Sequence, residues 1–113
     1  MSLVARWMLL VAGGILSLIP IGITVFRLWG AHRRVDTLAH GASGASLALF
    51  SLALLPLPPV GHALLVTIIG VGWEVVEPRL EALGYRLHTG PQDTEADIAV
   101  VGLLASLTVL VIT

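Results

Sequence analysis

The sequence predicts an all-α fold, an integral membrane four-helix bundle with both termini on the outer side. Three observations predict it. First, 57% of the 113 residues are hydrophobic and only 12% are charged, with a mean hydropathy of +0.98. A soluble domain is about 45–50% apolar and about 25% charged, so this chain has too little polar surface to cover a water-facing globule. Second, its apolar stretches are separated by short polar or proline-containing segments. At about 20 residues per crossing, four spans use about 80 residues and leave about 30 for connections. The whole chain, 1–113, therefore reads as one transmembrane domain. Third, almost every ionisable side chain falls at alternate junctions, on one side of the predicted bundle.

The first span is expected over 7–29, with Trp7 and Trp29 near its ends where aromatic belts lie. It is too long for a signal peptide and lacks a small-residue cleavage site. Pro20 falls inside it and predicts a kink, because proline has no N–H for the carbonyl four residues back. A polar loop with His32, Arg33 and Arg34 follows. The second span is expected over 37–55, stopped by Pro56, Pro58 and Pro59. The third is expected over 62–77, stopped by Pro78 for the same reason. Residues 78–95 form the longest connection, broken by Gly84, Gly90 and Pro91. The last span is expected over 97–113, about 25 Å long at the helical rise per residue.

Charge sets the orientation. Arg27, Arg33, Arg34, Arg79 and Arg86 lie on one side, and Arg6 alone on the other. The positive-inside rule then puts the charged loops in the cytoplasm of a cell whose inner membrane holds the protein. The arginine-only, Ala/Gly/Val/Pro-rich usage suggests a prokaryote. With no cysteine, disulfides, thiolate metal sites and thiol catalysis are excluded. With no lysine, Schiff-base and P-loop chemistry are excluded too. The net charge of −1 and the lack of a basic stripe argue against nucleic acid as a partner. The expected partner is the lipid bilayer.

All seven acidic residues and three of the four histidines fall on the arginine-rich side. Helical spacing groups them. Asp36 and His40 share a stripe at the start of the second span; Glu74, Glu77 and Glu81 share one at the end of the third; Asp93 and Asp97 share one entering the fourth. The second span also carries small residues at Gly41, Gly44, Ala45 and Ala48, which allow close helix approach in lipid. The same small-residue faces suit a helix from another copy or another chain. A carboxylate as deep as Glu74 is costly unless paired, protonated or metal-bound. Oxygen and imidazole donors together suit one divalent metal, with His40, Glu74, Glu77, Asp93 and Asp97 as candidate ligands. Read as a catalytic group, Glu74 is the proton donor or acceptor, Glu77 and Asp97 orient it, His40 is the second titrating group, and Asp36 supports them.

Plainer roles stand beside these. Thr94 and Asp97 match a capping box, and Asp36 can cap the second span or pair with Arg33. Glu81 and Glu95 fit solvated surface, His32 and His88 fit loops, and His62 fits an interfacial helix start. Ser43 reads as a packing residue, because Gly41-Ala42-Ser43-Gly44 lacks the nucleophile-elbow spacing.

Three motifs in order carry a family resemblance: Asp36-Thr37-Leu38-Ala39-His40 followed by Gly44, Gly72-Trp73-Glu74-Val75-Val76-Glu77, and Asp93-Thr94-Glu95-Ala96-Asp97. The set resembles the VanZ-like and YjdF-like small bacterial inner-membrane proteins over most of 36–113. Val101 stands where many VanZ-like chains have asparagine, and the following family glycine is displaced, with Gly102 nearest. The resemblance implies a shared fold and a shared site, but no reaction. The residues leave two functions open. One is a carboxylate/histidine site at the cytoplasmic boundary, binding a divalent metal or doing acid–base chemistry on a lipid-soluble substrate. The other is a non-catalytic accessory or assembly subunit, its charges fixing helix register. An ion or proton carrier has less support, because no relay of ionisable residues crosses the outer half.

Overall fold

The computed structural model describes residues 1–26, 28, 33–84 and 94–113, and is all-helical among them. Its four helices are α1 (Leu3–Val25), α2 (Arg33–Leu54), α3 (Pro59–Ala82) and α4 (Thr94–Ile112). Ser2 caps α1, its Oγ accepting from the amide of Ala5 at 3.1 Å and satisfying one otherwise orphaned donor. Pro20 sits inside α1, and one turn later the Thr24 hydroxyl donates to the Pro20 carbonyl at 2.8 Å. Pro59 opens α3, at a position where a missing N–H leaves no helical bond unmade.

Helix ends and expected span ends differ in instructive ways. α2 starts at Arg33, a turn before the expected 37, because polar residues that cannot sit in lipid still make good helix. α1 stops at Val25, although the apolar run continues toward Trp29, which lies outside the described residues. The expected stop at Pro78 is corrected: α3 runs through it to Ala82. Proline at this point removes one bond, to the carbonyl of Glu74, near an exposed helix end where that loss is tolerated. The helix is finally turned by Gly84, whose φ of 103° is costly for residues with a Cβ.

Three helices, α1, α2 and α3, are long and apolar enough to cross a membrane; the apolar part of α4, Asp97–Ile112, is shorter. Burial identifies the inner helix. The apolar stretch of α2 is 61% buried, against 17% for those of α1 and α3. α2 packs against all three others, α4 also packs against α3, and among the described residues α1 approaches α2 alone. The outer faces are strongly apolar, with Trp7, Val11, Ile15 and Leu18 along α1 all more than half exposed. Such faces match lipid rather than water. The molecule is 43 Å long, close to the roughly 40–45 Å of a bilayer with its headgroups.

Close contacts set the bundle's register. α1 meets α2 at Gly13: a Cβ there would lie 3.0 Å from the Phe50 ring, and Ser46 Oγ donates to the Gly13 carbonyl at 2.8 Å. α2 meets α4 at Gly44, where an added Cβ would lie 2.5 Å from the Val101 carbonyl oxygen. The small-residue face of α2 is thus covered within the chain by α4. Four residues further along each helix lie Ala48 and Ala105, both fully buried, and four beyond those Leu52 and Val109. These join Leu49 and Val66 in the core. His40 meets Asp97 and, four residues on in each helix, Gly44 meets Val101, so α2 and α4 run parallel.

Candidate functional site

Parallel α2 and α4, with α3 alongside, bring three distant positions together. His40 lies one turn before Gly44 on α2, and Asp97 one turn before Val101 on α4, so the contact that seats Gly44 on Val101 also aligns the two polar side chains. Glu74 comes from the far end of α3. The His40 Nε2 atom is 3.4 Å from Asp97 Oδ2 and 3.6 Å from Glu74 Oε1. One ligand atom from each of the three residues lies within 4.8 Å of the others. His40 and Glu74 are buried and Asp97 is partly buried.

The distances separate two kinds of interaction. A strong charged hydrogen bond is about 2.7–2.9 Å long, and both contacts of Nε2 are longer. Atoms bound at about 2.0–2.2 Å in a tetrahedron stand about 3.3–3.6 Å apart. The two separations at His40 Nε2 fall near that range, while the three ligand atoms together lie within 4.8 Å of one another, a looser spacing than a closed shell. Two carboxylates and a neutral imidazole would also cancel the charge of a divalent ion, which matters inside an apolar bundle.

A cavity of about 310 Å³ opens beside the three side chains. α1 lines it with Pro20 and Thr24, α2 with Ser43 and Leu47, and α3 with Ile69, Gly70 and Trp73; Val101 closes it from α4. It lies between α1 and α3, two helices that do not approach one another among the described residues. All three of His40, Glu74 and Asp97 face it.

The other sequence candidates are placed differently. Glu77 is buried one turn beyond Glu74, but is not one of the residues whose ligand atoms meet. Asp93 and the side chains of Asp36, Glu81 and Glu95 lie outside the described residues, as do His32 and His88. His62, expected at an interface, is buried at 3% exposure, its Nδ1 2.6 Å from the Ser51 hydroxyl. Sequence spacing also missed the α1 wall of the cavity. Its one signal was a proline followed a turn later by threonine, inside an otherwise apolar span.

Comparison with protein-family models, with curated proteins and with solved structures gives no match. The class that fold and site define is thus coarse: a protein all-helical among its described residues, with three helices long and apolar enough to cross a membrane and a largely buried His/Glu/Asp cluster at one end.

Proposed function

We propose that this chain is a four-span membrane protein in which His40, Glu74 and Asp97 bind one divalent metal ion at the cytoplasmic boundary, for chemistry on a membrane-dissolved substrate. The observation that carries the reading is the pair of distances at His40 Nε2, 3.4 and 3.6 Å to carboxylates from two other helices. Three protein donors beside an open cavity match the layout of catalytic zinc sites, which keep a coordination position free. The ion would act as a Lewis acid on an oxygen of the substrate. Without it, Glu74 would exchange a proton with the substrate and His40 would be the second titrating group.

The topology belongs to the same proposal. The apolar part of α4, Asp97–Ile112, measures about 24 Å at the helical rise, and it crosses a hydrocarbon core of about 30 Å where the bilayer thins locally around it. The arginine distribution favours charged loops in the cytoplasm and both termini outside. Motif order adds the VanZ-like and YjdF-like relationship to this reading.

A second reading has its own support. The matched steps His40–Gly44 and Asp97–Val101 are what a register-fixing ion pair would produce, and an assembly subunit would need nothing more. Metal content separates the two. The protein is purified in detergent, and bound metal is counted for the native chain, His40→Ala and Glu74→Ala. The metal reading expects about one ion per chain, lost in both variants. A metal-free native protein supports the register role.

A further inference from the structure

At the end of the bundle opposite His40, Glu74 and Asp97 lies a second cavity, of about 410 Å³. It is lined by the end of α2, the turn into α3, Arg6 of α1, His62 of α3 and Thr113 after α4. Two of these residues carry donors that no protein group uses. The His62 side chain is buried, and its one hydrogen bond among the described residues is at Nδ1, 2.6 Å from the Ser51 hydroxyl. Its other ring nitrogen, Nε2, has no partner among the described residues and is not sealed in the core, so it opens on the cavity that His62 lines. The Arg6 guanidinium likewise has no ion pair or hydrogen bond among the described residues. We infer that this cavity binds a phosphate group, on a lipid head or free, between Arg6 and His62.

The anion follows from where the acids are. All seven acidic residues belong to the other end of the molecule: in the first turn of α2, in the last three turns of α3, in the first turn of α4 or in the residue just before it. Each stands about 18 Å or more along its helix from the nearest residue lining this cavity, further than a carboxylate side chain reaches. Arg6 is therefore a cation that no acidic side chain of the chain neutralises. Phosphate, rather than carboxylate, follows from the donors. A guanidinium fork takes two oxygens of an oxyanion, which fills a carboxylate. When the Ser51 hydroxyl donates to Nδ1, the ring hydrogen of His62 stands on Nε2. That N–H comes from a different helix and suits a third oxygen, which phosphate has. The volume lies within the usual range of small-molecule pockets. On the membrane reading, the 43 Å length of the molecule puts this end at the level of lipid phosphates, and Leu52 and Leu57 offer apolar wall beside the head.

The test is titration calorimetry on the protein in an uncharged maltoside detergent. EDTA is present, so that no ion at His40, Glu74 and Asp97 takes up phosphate. A C-terminal tag ensures that no terminal carboxylate stands beside Arg6. The probes are inorganic phosphate, dihexanoyl phosphatidylglycerol and acetate, each corrected for its heat with empty micelles. Saturable binding of a phosphate probe is expected, at least about tenfold tighter than acetate. Tighter binding of the lipid assigns the phosphate to a lipid head; equal or tighter binding of inorganic phosphate assigns it to a free one. Arg6→Gln, at an exposed position, should keep native helical content and weaken phosphate binding at least about tenfold. His62→Asn keeps a partner for Ser51 and removes Nε2, and should weaken it at least about threefold. No saturable phosphate binding overturns the inference. So does acetate bound as tightly as phosphate, or unchanged phosphate binding in either variant with native helical content.

Discussion

His40 Nε2 and Asp97 Oδ2 stand 3.4 Å apart, although all of α3 separates the two residues in the chain. What brings them together lies one turn away, where Gly44 presses its bare Cα against the Val101 backbone. Site geometry therefore depends on a packing contact that contains no polar side chain.

Gly44→Ala should separate α2 from α4. The new Cβ would meet a carbonyl oxygen at 2.5 Å, a backbone atom that cannot rotate aside. Overpacking of this kind costs about 1–3 kcal/mol, read as a lower thermal midpoint in detergent, and the misaligned site should also bind metal more weakly. Gly72→Ala is the control. A Cβ there meets nothing within 4 Å, so stability and metal content should stay native.

Glu74 and Glu77 are both buried and one turn apart, and among the described residues it is Glu74 that places a ligand atom beside those of His40 and Asp97. Glu74→Gln keeps the shape and removes the charge. Metal affinity should fall at least about tenfold, about 1.4 kcal/mol, by competition with a chelating dye. Glu77→Gln should leave that affinity within a factor of about two, less than 0.5 kcal/mol. Equal losses would place Glu77 in the coordination shell.

Ser51→Ala tests the opposite end of the bundle. It removes the hydroxyl 2.6 Å from His62 Nδ1, in a buried setting between α2 and α3. Leaving the imidazole nitrogen unpaired costs about 1–3 kcal/mol. Chemical or thermal unfolding should show that loss, while the metal content remains native because the site lies at the other end of α2.

Topology can be read with single cysteines, since the chain has none of its own. Pro58→Cys lies in the turn between α2 and α3, and Leu83→Cys at the exposed end of α3. A membrane-impermeant maleimide applied to intact spheroplasts should label the first at once and the second only after lysis. The reverse pattern would invert the proposed orientation.

Much of this was legible in the sequence, for identifiable reasons. Four-residue spacing of His40 and Gly44, and the glutamates near the end of the third apolar stretch, located the polar cluster, because helical period and hydropathy are local properties. Which acidic group joins the cluster was not legible. Glu74 and Glu77 are neighbours on one helix surface, and only the rotation of α3 against α4 separates them. Proline misled at position 78, where the loss of one hydrogen bond falls at an exposed helix end and leaves α3 intact. His62 does lie in the first turn of α3, as its place after the prolines suggested, but the sequence does not reveal that Ser51 stands across from it. The α1 wall of the cavity was hidden too, since Pro20 and Thr24 carry no charge and gain their place only through packing on α2.

The central claim is that three side chains from three helices meet around one site. X-ray absorption at the zinc edge, on the zinc-loaded protein and on His40→Ala, tests it most directly. The account predicts a low-coordinate shell of oxygen and nitrogen donors with the multiple-scattering signature of a single imidazole, and loss of that signature in the variant. An imidazole signature that survives His40→Ala, or zinc held only by water and exposed carboxylates, would contradict it.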